Sequence, residues 1–168
     1  MKIGKYLALF FSCGIFYKSL EVSFRAYFHM LPQFQYWALA GYASEWIILV
    51  GGTCGLILGM LNQNKWINTN INIFFQALIS GIIILIVELF YGYIFNILLD
   101  LNLWDYSPYI GNILGQIYLP FYFLWVLISP LAFWVDDMIM YKFYGEGEYY
   151  SIIDIYKKFL MFWEKPYV

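Results

Sequence analysis

Glu21, Glu45 and Glu88 each stand inside a run of apolar residues, and their placement is the first chemical question the chain poses. A carboxylate at the centre of a bilayer costs about 2.5–3.5 kcal/mol on insertion scales, so each must face protein or water and find a partner. In FYKSLEVSFRAY, Lys18, Glu21 and Arg25 are spaced three and four apart. They therefore share one helix face and can neutralise one another near a membrane boundary. Glu45, between Ser44 and Trp46 in ALAGYASEWIILVGG, sits near the outer end of a helix, where it can reach headgroup water. Glu88 has apolar neighbours on both sides in LISGIIILIVELFYGYIFN and no basic residue in its own helix. With Gly81, Gly92 and Asn96 it forms a small, polar stripe at spacings of seven, four and four. Small residues let another helix approach closely, so the stripe reads as a helix contact with Glu88 buried in it. Its expected partner is a group from the segment Trp104 to Gln116, met either by a carboxylate or by a protonated, purely hydrogen-bonding side chain.

That segment, NLWDYSPYIGNILGQIYLP, is the second concentration of polar chemistry. Asp105, Tyr106, Ser107 and Pro108 are strong turn residues, because Asp and Ser bond nearby backbone amides and Pro presets its own dihedral. Trp104 and Tyr109 suit a membrane interface, with an apolar body and a polar tip. Asn112 and Gln116 are four apart, which at the start of a helix puts both amides on one face. The segment is expected to fold as a structured cap whose polar groups meet Asp105 and the Glu88–Asn96 stripe. That network either lines a ligand site or locks the fold.

Other chemistries are poorly supported. Glu88 and Asp105 could act as acid and base, but His29 has no second histidine or placed nucleophile beside it, and the chain is not read as an enzyme. Asp136 and Asp137 are adjacent, so on a helix they point apart by about 100°; they are expected to mark a membrane exit and not a metal site. Cys13 and Cys54 lie in apolar runs without ligand-spaced partners, as packing residues do. No metal and no cofactor is implied. No Gly-x-x-x-x-Gly-Lys-Ser/Thr loop occurs, so these residues hold no ATPase site of that kind.

The elements that must position these groups follow from composition. Hydrophobic residues make up 63% and charged residues only 12%, against about 25% charged in soluble domains; lipid is the implied solvent. The net charge of −2, without a basic stripe, argues against nucleic acid. Four apolar blocks, about residues 5–28, 37–61, 72–99 and 110–135, each match the roughly 20 residues a crossing helix needs. The first carries a basic start and the stretch FFSC, yet stays apolar past Cys13, so it is expected to remain uncleaved. Gly51, Gly55 and Gly59 predict close packing of the second helix, in a bundle or a dimer. Pro120 and Pro130 are expected inside the fourth, where they can kink it.

Lys2, Lys5, Lys65, Lys142, Lys157, Lys158 and Lys165 occupy alternate connections and the tail. The positive-inside rule then puts both termini in the cytoplasm. In the tail, Ile152, Ile153, Tyr156, Phe159 and Leu160 oppose Asp154, Lys157 and Lys158, which predicts an interfacial helix. The expected fold is all-α: a polytopic four-helix transmembrane bundle in the cell membrane, residues 1–138, followed by a cytoplasmic amphipathic tail, residues 139–168.

Several of these stretches together resemble the family of small membrane proteins described as putative ABC-transporter type IV. The likeness rests on LEV at Leu20–Val22, AGYASEWIILVGG, ELFYGYIFN, WDYSPYIGNILGQIYLPFYFLW and SPLAFWVDDMIMYKFYGE. It covers nearly the whole chain. Departures stand at Tyr42 and Tyr118, where the pattern has His and Cys, so no role rests on an imidazole or thiol there. The resemblance implies a transport-related component whose energy comes from a separate ATPase or another membrane subunit. Its polar site would draw on Glu21, Glu45, Glu88, Asn96, Trp104, Asp105, Asn112 and Gln116, alongside Ser44, Trp46, Tyr106 and Ser107. The competing reading is a structural or regulatory membrane protein, including a homo-oligomer, in which the same groups only hold helices together.

Overall fold

The computed structural model describes residues 3–28 and 40–161. The start of the second apolar block, together with Lys2, His29, Pro32 and Lys165, lies outside the described residues. The helices are α1 (Ile3–Phe28), α2 (Ile47–Asn62), α3 (Lys65–Asn70), α4 (Ile73–Gly92), α5 (Phe121–Ile139) and α6 (Ile152–Leu160). Two of them run on as wider, π-helical turns, α4 through Tyr93–Leu98 and α5 through Met140–Tyr144. Three stretches are long and apolar enough to cross a membrane: Ile3–Tyr27, Ile73–Leu98 and Phe121–Tyr144. α2 is apolar but has 16 residues, fewer than the roughly 20 a full crossing requires. Of the four expected blocks, three are stretches of crossing length and the second holds a shorter apolar helix, with residues 40–46 entering α2 as non-helical chain and turn.

The fourth block is corrected at its start. Residues 110–120 form no helix; Asn112–Ile113 (β1) and Ile117–Tyr118 (β2) pair antiparallel, with Asn112 opposite Tyr118 and Ile113 opposite Ile117. At the tip Leu114 and Gly115 have φ of 53° and 68°, and Gly111 has φ of 91°. Right-handed helix excludes such dihedrals, and only glycine adopts them without penalty. Pro120 is therefore the residue before α5, at φ −58°, a helical value its ring fixes without losing a needed donor. Pro130 alone lies within the helix.

α1 packs most extensively on α2, and α4 on α5. The glycine stripe of α2 makes the first contact: a methyl group at Gly51, Gly55 or Gly59 would collide with Tyr17, Cys13 or Leu9 of α1. Within this chain the close approach is thus helix to helix. Thr53 and Tyr91, 2.8 Å apart, bridge α2 to α4. Phe133, Leu58, Val50 and Ile84 are buried at the shared centre.

Ser151 and Asp154 form a reciprocal capping box at the start of α6, and Ile155 and Phe159 are buried on the side where α6 meets α4 and α5. Ile152, Ile153 and Leu160, expected to share one apolar stripe with Phe159, remain exposed.

Candidate functional site

Glu88 is buried, 4% exposed, at the level where α4 meets α1 and α5. Its Oε1 accepts from the Tyr17 hydroxyl at 2.6 Å, and its Oε2 from Trp125 Nε1 at 3.3 Å. The two donors stack on each other, ring centres 5.3 Å apart. This corrects the expectation that Glu88 bonds to the Trp104–Gln116 segment. Both partners come from transmembrane-length helices, 71 and 37 residues away in sequence, a pairing that spacing along one helix cannot reveal. The 104–116 segment still comes near: a void of about 10 Å³ is lined by Glu88, Tyr17, Glu21, Trp104 and Tyr106, close to the least that one water needs.

One turn further along, the stripe receives the hairpin. A Cβ at Gly92 would lie 2.6 Å from Gln116 Oε1 and 2.9 Å from Gln116 Cβ, so only glycine lets that side chain lie across the helix. Asn96 sits on the widened turn that follows. Its Nδ2 donates to Gln116 Oε1 at 2.8 Å and to the Trp104 carbonyl at 3.0 Å, while its Oδ1 accepts from Leu103 N at 2.7 Å. Trp104 Nε1 donates to the Gln116 carbonyl at 2.9 Å, and Gln116 Nε2 to the Leu114 carbonyl at 3.2 Å. Polar atoms that lipid could not satisfy are satisfied here by one another.

The cap is organised by its own polar residues. Asp105 Oδ1 accepts from Ser107 N at 2.8 Å, and Tyr106 N donates to the Gly115 carbonyl at 2.8 Å. Hydrogen bonds from Ser107 hold the Asp105 carboxyl below its ordinary range. Asn112 Oδ1 accepts from Gly115 N, and its Nδ2 donates to the Tyr109 carbonyl. Asn112 therefore closes the hairpin turn and does not face the Glu88–Asn96 stripe from a helix, as expected. Asp105 is likewise exposed and outside the Asn96–Gln116 network. Tyr106, whose hydroxyl burial pushes well above the usual phenol range, packs against Tyr118 and Phe121.

Between the cap and α1 lies a chamber of about 620 Å³. Glu21 and Arg25 pair across one turn at 2.6 Å, Arg25 Nη2 donates to the Leu103 carbonyl at 2.7 Å, and its guanidinium lies 4.7 Å from the Tyr42 ring centre. Asp105, Trp104, Tyr106 and Tyr109 complete the polar and aromatic wall. Arg25 is thereby spent on α1 and the cap, leaving Asp105 as the chamber's unpaired formal charge among the described residues.

Three expected site residues fall elsewhere. Lys18 pairs with Glu45 and not with Glu21, and Glu45 is largely exposed. Ser44 Oγ accepts from Trp46 N at the entry to α2, and Trp46 packs on Phe95. At the opposite end stands a second polar cluster. Asp136 is fully buried and accepts from Gln63 and Asn62, and Asn62 Nδ2 also reaches Asp137 at 2.8 Å. Tyr150 donates to Asp137, and Lys5 to Gln63. The two carboxylates, expected only to mark a membrane exit, are thus structural acceptors for the end of α2. The signal in sequence was the amide pair Asn62–Gln63 closing an apolar helix. Among the described residues no cluster of His, Cys, Asp and Glu is arranged to hold a metal.

Over residues 10–163 the chain matches the family model described as Putative ABC-transporter type IV. Comparison with curated proteins and with solved structures finds no match.

Proposed function

Because the chain belongs to the Putative ABC-transporter type IV family, we propose that it is a multi-pass, permease-like component of a transport complex whose ATPase is a separate polypeptide. Its apolar helices are those of a membrane protein. In this reading α1, α2, α4 and α5 form a four-helix bundle in the cell membrane with both termini cytoplasmic. The hairpin caps the outer end. The ligand enters the chamber walled by Glu21, Trp104, Asp105 and Tyr106, and Glu88 lies beneath it, where a buried carboxylate is costly unless it serves packing or passage. One observation carries the proposal: Glu88 lines a small void together with Glu21, Trp104 and Tyr106, three residues that also wall the chamber.

A structural or regulatory role without transport is favoured by a different observation. Every polar atom of the Asn96 and Gln116 amide groups is paired within the protein, as in a lock. Purification of the tagged protein from its native membranes separates the two. A transport component brings a nucleotide-hydrolysing subunit with it, and Glu88→Gln keeps that complex while abolishing ligand-stimulated hydrolysis. Recovery of a lone homo-oligomer, with no ATPase subunit and no effect of Glu88→Gln, refutes the transport reading.

A further inference from the structure

At the end opposite the hairpin, a second cavity of about 480 Å³ lies between α3, the start of α4 and α6. Its wall is built from amides: Asn62, Gln63, Asn68, Asn72 and Gln76. Gln76 is 1% exposed. Its Nε2 donates to the Ile71 carbonyl at 2.8 Å and to Asn68 Oδ1 at 3.2 Å, which fixes the orientation of the amide, since a flipped group would set oxygen against oxygen. Its Oε1 has no hydrogen-bond partner among the described residues. A buried acceptor left unmade is unfavourable, and Gln76 is one of the residues that line this polar cavity.

Among the described residues the charged side chains that line the cavity are Lys65, Lys158 and Asp137. Asp137 is already taken up by Asn62 and Tyr150, and Lys158 leans over the Tyr150 ring, 5.5 Å from its centre. Among the described residues that line the cavity, two lysines stand against one engaged carboxylate, a formal excess of one positive charge. Around this end the surface carries exposed Trp66, Phe143, Tyr149, Ile153 and Leu160. Large aromatic and apolar side chains exposed beside lysines mark headgroup depth in a membrane.

We propose that this cavity binds a phosphate ester bearing a hydroxyl donor, the chemistry of an anionic phospholipid headgroup. Lys65 and Lys158 take the phosphate, and the hydroxyl donates to Gln76 Oε1. The site lies apart from Glu88 and the cap, so it holds whether or not the protein transports.

The test uses the full chain in nanodiscs of phosphatidylcholine, titrated with phosphatidylglycerol, with phosphatidylmethanol, which has the phosphate but no hydroxyl, or with soluble glycerol 3-phosphate. Phosphatidylglycerol binds best, and Lys65→Ala with Lys158→Ala weakens it about fivefold per lysine, roughly thirtyfold for the pair. Lys157→Ala, at an exposed lysine near Asp154, leaves binding unchanged. Gln76→Leu abolishes the preference for phosphatidylglycerol over phosphatidylmethanol; should that variant fail to fold, the wild-type preference decides alone. Binding of glycerol 3-phosphate as tightly as the lipid supports the site and assigns it to a soluble ester. The proposal is overturned if neither source binds, if wild type does not prefer the hydroxyl-bearing lipid, or if Lys157→Ala costs as much as the pair, which is diffuse attraction to a charged surface.

Discussion

Replacing Asn96 by Leu should release the hairpin from α4. The substitution keeps a side chain of similar volume but removes three hydrogen bonds, to the Trp104 carbonyl, to Gln116 Oε1 and from Leu103 N. Each is worth about 1 kcal/mol net, and a donor or acceptor left unpaired away from water costs more. The loss is therefore about 3 kcal/mol, which for a chain of this size lowers Tm by roughly 6–12 °C. Asn96→Asp should also destabilise, because the retained Oδ1 still accepts from Leu103 N but the new carboxylate oxygen faces the Trp104 carbonyl and Gln116 Oε1, to neither of which it can donate. The network also fixes a coupling: Gln116→Leu breaks the same 2.8 Å bond, so the double variant should be less destabilised than the sum of the singles. Thermal unfolding in detergent reads the energy, and hydrogen exchange reads the place. Amides from Leu103 to Gln116 should lose protection while those of α4 between Ala77 and Leu85 keep it. A change below about 1 kcal/mol, with exchange unaltered, would show that the aromatic cluster of Tyr106, Tyr118 and Phe121 holds the cap and that the amides are incidental.

Gly92→Ala should destabilise even though alanine is the better helix former by about 1 kcal/mol, because the new methyl lies 2.6 Å from Gln116 Oε1; increased thermal stability would refute the close approach. Glu88→Ala strands the Tyr17 and Trp125 donors and should lower stability by about 2–4 kcal/mol, whereas Glu88→Gln, which keeps an acceptor, should be near neutral in the same unfolding assay. With Cys13 and Cys54 replaced, Asn64→Cys should react with an impermeant thiol reagent only from the cytoplasmic side and Tyr109→Cys only from outside; the reverse labelling would invert the topology. Ser151 hydrogen bonds hold the Asp154 carboxyl below its ordinary value, so its contribution is present above the unfolded pKa, about 3.9, and is lost as pH falls through the depressed folded value. Protection of α6 amides should stay constant from pH 5 to 8 and decline only in stronger acid, and a decline near neutrality would implicate another group.

Lipid as the solvent was legible in the sequence, because a 20-residue apolar run has few alternatives that satisfy its backbone. So were the stripe Gly81–Glu88–Gly92–Asn96, which follows from spacing along one helix, and the turn at Asp105–Ser107, a hydrogen bond between residues two apart. The same periodicity misread residues 110–120. Ile110, Ile113, Leu114, Ile117 and Leu119 are as apolar as a helix, and composition cannot tell a short apolar hairpin from a helical turn; the positive φ of Gly111 and Gly115 decided it. It also overreached at Asn112, whose amide is spent inside that hairpin. What the sequence could not contain was the choice of partners across the fold. Lys18 left Glu21 for Glu45, Arg25 crossed to Leu103, and Glu88 found Tyr17 and Trp125. Those pairings depend on the register at which α1, α4 and α5 pack, and that register is set by glycines meeting side chains on other helices, a long-range condition that no local spacing encodes.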